Sequence, residues 1–305
     1  MRLVFAGTPA AAVPSLRALA AGPHEIALVI TREDAPLGRK RVLTPSPVAA
    51  AAEELGLRAR KTGRLDADAT AEVAGIRPDL GVIVAYGALV REPLLSTPRH
   101  GWINLHFSLL PRWRGAAPVQ HALIAGDRDL GASVFQLVPE LDAGPVFAER
   151  VMPAGDLTAG AALGALAALG AELLAKTVDA IAAGTAVAAP QRGEPTFAPK
   201  LSLADGELSW STDAAALLAR IRGTTPEPGA HTTLDGARVK IVDAAVADDD
   251  GAPAPGRVVL AGRRVLVGAA DGAIELRTVQ PAGKSAMAAA DWWRGLRRDD
   301  VVLGS

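Results

Sequence analysis

The 305-residue chain contains no cysteine, which excludes a disulfide framework, thiolate zinc sites and thiol catalysis together. Histidine is scarce as well. The five histidines, at 24, 100, 106, 121 and 231, include no HExxH pair, so a zinc hydrolase lacks its ligand set and no metal is expected. GxGxxG and GxxxxGK[ST] are both missing, which removes the main support for nicotinamide and P-loop nucleotide chemistry. Neither sign of charge dominates, with Lys+Arg 32 against Asp+Glu 33. The apolar stretch at 3–6 is too short for a signal h-region, and no apolar run reads as membrane-spanning, so a cytoplasmic protein with no membrane partner is expected. No obligate protein partner is evident in the sequence.

Half of the residues are hydrophobic and 21% are charged, the composition of a folded globular chain, and the length favours two domains. Strand and helix patterns alternate at the start: strand 2–7, helix 13–21, strand 25–31, helix 48–55, then buried-strand runs at 80–85 and 101–106. A doubly wound, mostly parallel sheet follows, with further strands at 132–138 and 145–151 and a long Ala-rich helix at 158–183. Three prolines and two glycines between 184 and 200 suit an extended connector with few contacts. Beyond it, short β runs separated by Gly, Pro and Asp turns predict a small β-barrel. The expected division is 1–189, a linker at 190–204, and 205–305. Residues 248–255 read as a disordered turn, and the pair Trp292 and Trp293 as a helix packed on the barrel.

The block at 104–115, NLHFSLLPRWRG, carries the chemistry. If a parallel strand ends at His106, period-2 alternation puts Asn104 and His106 on one face, at the carboxyl end where open α/β sheets bind ligands. An amide and an imidazole then point together. Asp142, in LDAG after another strand, is a third polar group able to hold or charge-balance His106. The turn in FAGTP at 5–9 could bring backbone amides to an anion, although a tight βα turn explains it equally well. A polar connection at 31–47 holds Arg39, Lys40 and Arg41, and loops of this length inside a compact domain are usually functional or disordered.

NLHFSLLPRWRGAAP with LDAGPV resembles the folate-dependent formyltransferases, and FAGTP, VAYGALV and QPAGKSAM resemble the members that act on a charged tRNA. The resemblance runs from Arg2 to about Asp299. It implies a Rossmann-like formyltransferase domain over 1–189, a linker, and a C-terminal OB-like barrel over 205–305. It further implies that 10-formyltetrahydrofolate donates a formyl group to the α-amine of methionyl-initiator tRNA, giving the formylated species used in translation initiation. Asn104, His106 and Asp142 fall on the catalytic positions. Ser108, Leu109, Leu110 and Pro111 fall on the folate loop, and Tyr86, Gly87, Ala88, Leu89 and Val90 on the pterin slot. Arg39, Lys40 and Arg41 fall on an insertion that contacts tRNA, and Arg112 and Arg114 could steer phosphates. Residues 201–305 hold 12 basic and 14 acidic side chains, a net −2, so a barrel that grips RNA would need Arg257, Arg263, Arg264 and Lys284 on one face. A formyltransferase for a small amine, a formylfolate hydrolase, and a non-catalytic tRNA-binding module remain open at this point.

Overall fold

A computed structural model describes residues 1–38, 41–248 and 252–304. The chain divides into two compact units. The first comprises Met1–Pro118, Asp129–Met152 and Leu163–Ala198, the second Val119–Arg128, Pro153–Ala162 and Pro199–Ser305.

The first unit is built on seven strands: β1 (Arg2–Gly7), β2 (Glu25–Thr31), β3 (Ala59–Lys61), β4 (Leu80–Val84), β5 (Trp102–His106), β6 (Asp129–Gln136) and β7 (Val146–Pro153). Their spatial order is β7-β6-β5-β4-β1-β2-β3. From β3 to β5 the neighbours are parallel, as the apolar runs of β1, β2, β4 and β5 predict, with the short β3 an edge strand that the sequence did not announce, whereas β6 joins β5 antiparallel. Every residue of β4 is buried, the condition of a strand covered on both faces. Helices α1 (Val13–Ala20), α2 (Pro47–Glu54) and α3 (Ala67–Ile76) alternate with the first strands. The last two start where a side chain accepts an otherwise unpaired amide, Ser46 from Ala49 and Asp66 from Ala69, each at 3.0 Å. Because β1 leads to β2 on one side and has β4 on the other, the strand order reverses between β1 and β4. The crevice outside the carboxyl ends of β1, β4 and β5 is therefore the favoured ligand position.

Helix α4 (Pro118–Ile124) precedes β6, and α5 (Ala159–Ala182) follows β7. Contrary to the expectation that no apolar run would be long enough, α5 has 24 residues and is long and apolar enough, by length and composition, to cross a membrane. Half of its most apolar stretch is buried in the protein, including Leu166, Leu174 and Val178 at 0% exposure. Alanine supplies both the hydropathy and the close packing.

The connection at 31–47, expected as a loop, is a small hairpin. Ala35–Leu37 pairs antiparallel with Val42–Thr44, and the Arg41 N–H donates to the Gly38 carbonyl at 3.1 Å. Its base is tied by Thr31 Oγ1 and Ser46 Oγ at 2.6 Å. Leu37, Val42 and Leu43 stand 66%, 59% and 69% exposed. Arg39 and Lys40 lie outside the described residues.

In the second unit, α6 (Ala214–Thr224) precedes strands β8 (His231–Leu234), β9 (Ala237–Ala247), β10 (Val258–Ala261), β11 (Arg264–Gly268), β12 (Ala273–Pro281) and β13 (Met287–Ala288), and α7 (Ala289–Leu296) follows. The strands form an antiparallel sheet in the order β8-β9-β12-β11-β10, with β13 on β12. The register of β9 shifts on either side of Asp243; such bulges sharpen strand curvature, and the curled sheet meets the barrel-like expectation. Trp292 and Trp293 are buried with Trp210, Leu217, Ile221 and Ile274 in its core. Of the turn expected at 248–255, Asp249, Asp250 and Gly251 lie outside the described residues, while Arg257 N–H donates to the Ala254 carbonyl at 2.9 Å.

Candidate active site

Strand β5 delivers two polar side chains to the carboxyl edge of the sheet. Asn104 sits between Ile83 of β4 and Phe135 of β6. Its Oδ1 is buried with no hydrogen-bond partner among the described residues, a costly arrangement unless a bound molecule completes it. His106, the last residue of the strand, is 6% exposed and stands edge-on to Phe135 with ring centroids 6.3 Å apart. Its Nε2 lies 2.8 Å from the Trp113 carbonyl oxygen. A carbonyl only accepts, so Nε2 carries the hydrogen, and in the neutral ring the Nδ1 lone pair is left facing Asp142. Burial pushes this imidazole below its ordinary pKa, against the opposing pull of the Asp142 carboxylate and the Trp113 carbonyl.

Asp142 comes from the turn after β6. Its Oδ2 is 3.9 Å from His106 Nδ1 and accepts the Gly115 N–H at 2.8 Å. The backbone there is left-handed, φ +47°, a cost for a residue with a side chain that the surroundings must offset. Gly144 explains why the turn is so tight. A Cβ at that position would fall 1.7 Å from the Gln136 carbonyl oxygen, so no other residue fits without moving the chain.

The segment expected to make few contacts is stitched to this site. Ala189 and Val146 exchange backbone hydrogen bonds at 2.8 and 2.9 Å, Trp113 N–H donates to Thr196 Oγ1 at 2.9 Å, and Arg114 N–H donates to the Thr196 carbonyl at 2.8 Å. Phe197–Ala198 then pairs in parallel with Arg114–Gly115. Gln191 Nε2 donates to the carbonyls of Asp142 and Gly144, both at 2.8 Å, and its Oε1 accepts from Arg114 Nε at 3.2 Å and Nη2 at 2.5 Å. The expectation of a loose connector failed because its prolines and glycines permit an extended strap, and an extended chain can pair with whatever backbone lies beside it.

Several polar atoms of the 108–111 turn are bonded to neighbouring segments of the protein. Ser108 Oγ donates to the Arg112 carbonyl at 2.6 Å, Ser133 Oγ lies 2.7 Å from the Ser108 carbonyl, and Leu110 N–H reaches Ser133 Oγ at 3.3 Å. Leu110 and Pro111 are buried, and Leu109 is half-buried. In the second expected segment, Tyr86 is 1% exposed and donates its hydroxyl to the Thr62 carbonyl at 2.7 Å. Tyr86 and Val90 belong to the sheet's hydrophobic core. Gly87 and Leu89 are exposed, and Ala88 is half-buried. Arg32, which the sequence reading missed, donates from Nη2 to the Gly87 carbonyl at 2.8 Å and so holds this turn.

Among the expected phosphate-steering residues, Arg112 is exposed with its guanidinium 5.0 Å from the Trp113 ring centroid, whereas Arg114 is half-buried on Gln191. Arg41 stands exposed at the hairpin turn, φ +49°. His106 and Asp142 thus come within 3.9 Å of one another, with Asn104 two residues back on the strand that carries His106, and Gln191 and Thr196 join them without having been foreseen. Apart from Gln191 Oε1 on the Arg114 guanidinium, their contacts run to backbone groups, which leave no residue-type signal.

Residues 1–175 match the formyl transferase family and residues 200–297 the formyl transferase C-terminal domain. A methionyl-tRNA formyltransferase of Clavibacter sepedonicus is 64% identical over 303 residues, 99% of this chain and 99% of the relative. One of Leifsonia xyli subsp. xyli is 65% identical over 303 residues, 99% of this chain and 100% of the relative. Among solved structures, an N-formyltransferase from Helicobacter canadensis in complex with folinic acid and dTDP-3-aminofucose shares the fold, with a TM-score of 0.69 and 15% identity over 92% of this chain and 98% of that one.

Proposed function

Because the chain belongs to the formyl transferase family, we propose that it moves the formyl group of 10-formyltetrahydrofolate to the α-amine of methionyl-initiator tRNA in the cytoplasm. Full-length identity to methionyl-tRNA formyltransferases supports the acceptor. The convergence of Asn104, His106 and Asp142 at the end of β5 carries the chemistry. On this reading residues 1–189 perform the reaction and 205–305 contribute to holding RNA, with 190–204 between them.

An α-amine has a pKa of about 8, so a useful fraction is neutral and nucleophilic near neutral pH without a strong base. As its nitrogen bonds the formyl carbon, charge builds on the formyl oxygen. The half-buried Asn104 amide is proposed to offer its NH2 to that oxygen; a preorganised donor of this kind commonly contributes a hundredfold or more to turnover. The neutral His106 ring has its Nε2–H engaged by Trp113, so Nδ1 is the atom that takes the proton released by the amine. The resulting imidazolium is stabilised by the Asp142 carboxylate, which faces Nδ1. The same proton is then returned to the leaving nitrogen as its bond to the formyl carbon breaks. Gly115 N–H keeps the Asp142 oxygen on the Nδ1 side.

The folate, a substrate of the reaction, is assigned to the crevice between the turn of Ser108, Leu109, Leu110 and Pro111 and the exposed backbone at Gly87, Ala88 and Leu89, with Tyr86 and Val90 anchoring the latter in the core. Arg39, Lys40 and Arg41, together with Arg112, are assigned to tRNA phosphates. Arg114 is committed to Gln191 and serves the site from within.

The test is formyl transfer to methionyl-tRNA beside transfer to glycinamide ribonucleotide and hydrolysis with no acceptor. We expect transfer to methionyl-tRNA alone, falling about a hundredfold in Asn104→Ala while donor binding stays within a few fold. Preferential use of the small amine, or turnover without acceptor, overturns the assignment.

A further inference from the structure

Gln191 lies in a stretch with the composition of a connector, yet its side-chain amide is fully engaged at the active site. Its two N–H groups meet the carbonyls of Asp142 and Gly144, and its oxygen receives two N–H groups of Arg114. A primary amide has two donor hydrogens and one acceptor oxygen with two lone pairs, so all of its capacity is used. The two carbonyls bracket the turn that places Asp142, whose left-handed backbone is disfavoured on its own. Arg114, the other partner, immediately precedes Gly115, whose N–H fixes the Asp142 carboxylate. One side chain therefore ties the backbone that carries the aspartate to the segment that orients its oxygen.

We propose that Gln191 is a positioning residue for formyl transfer, acting through Asp142, with Arg114 orienting its amide. The proposal rests on the functional reading above, in which Asp142 supports the proton taken up by His106. A structural role alone would affect stability; a positioning role must act through the aspartate and leave substrate binding nearly alone. A carboxylate at 191 would preserve size and the Arg114 contact while removing both N–H donors, so Gln191→Glu separates the clamp on Asp142 from simple packing.

The experiment measures kcat and KM for both substrates in Gln191→Ala and Gln191→Glu, each in the parent and in Asp142→Asn, with amide hydrogen exchange of residues 140–146 read alongside. Expected is a loss in kcat of about tenfold or more for both variants, in line with the sensitivity of rates to small displacements of reacting groups. KM should stay within about threefold, exchange at 140–146 should rise, and the further loss on top of Asp142→Asn should be under about twofold. Parental kcat in Gln191→Glu, or the same loss with and without the Asp142 carboxylate, overturns the proposal. If the parent fails to formylate methionyl-tRNA, the functional reading falls instead. The exchange measurement needs no substrate, and unchanged exchange in both Gln191 variants would overturn the clamp by itself.

Discussion

At His106, burial and hydrogen bonding fix both the charge and the tautomer, and each has a measurable consequence. The folded-state pKa is lowered by burial, while in the unfolded chain the imidazole takes a proton near about pH 6.5. Between those two values the unfolded state binds the proton and the folded state does not. Stability therefore rises with pH through this window and is lost as pH falls below about 6.5. Urea unfolding at about pH 7.5 and about pH 5.5 should show a larger loss on acidification for the parent than for His106→Gln; equal losses would show that this ring does not govern the acid limb. Asn104 and His106 were legible because strand alternation fixes which face a residue takes, and Asp142 because a carboxylate framed by small residues marked a turn. Gln191 and Arg32 were not legible. Their N–H groups reach carbonyls at Asp142, Gly144 and Gly87, and every residue has a carbonyl.

Among the elements, β1, β2, β4 and β5 were readable almost residue by residue, since a strand buried on both faces is an unbroken apolar run; β3, the short polar stretch Ala59–Lys61 at the sheet edge, was missed. The antiparallel pairing of β6 with β5 was not readable, because a buried strand carries the same composition in either direction. The hairpin Ala35–Leu37 and Val42–Thr44 escaped for a different reason. Its strands have three residues each and are exposed throughout Ala35–Leu37, too short for any alternation to register. Its Leu37, Val42 and Leu43 are exposed, and Arg39, Lys40 and Arg41 fall between them in the sequence. Replacing Arg39, Lys40 and Arg41 with Ala should raise the KM for tRNA and flatten its logarithmic dependence on salt by up to roughly two to three units, the counterions that three phosphate contacts would release. An unchanged salt slope would return these residues to solvent.

For the whole molecule, the sequence placed a boundary near residue 190, but packing does not follow the chain so simply. The second compact unit includes Val119–Arg128 and Pro153–Ala162 as well as everything after Ala198. Within it the Arg222 guanidinium reaches the carbonyls of Gly155 and Leu157, and Gly223 is small enough to lie against Ile124 and the Gln120 carbonyl. A cut after Ala198 therefore leaves α4 and the first turn of α5 without their partners. In a fragment of residues 1–198, hydrogen exchange should rise at 119–128 and 153–162 while β1, β2 and β4 stay protected. The fragment should also melt below the intact chain, by about 2–4 °C for each kcal/mol lost. Protection at those two segments equal to that of the intact chain would mean that they belong energetically with the first unit. The strap from Ala189 to Ala198 bears on how such genes can be recombined. A crossover placed just before Ala189 would pair the turn at Asp142 with a foreign segment that never met it, whereas one placed just after Ala198 would let the catalytic module travel with its own clamp and take on a new tail.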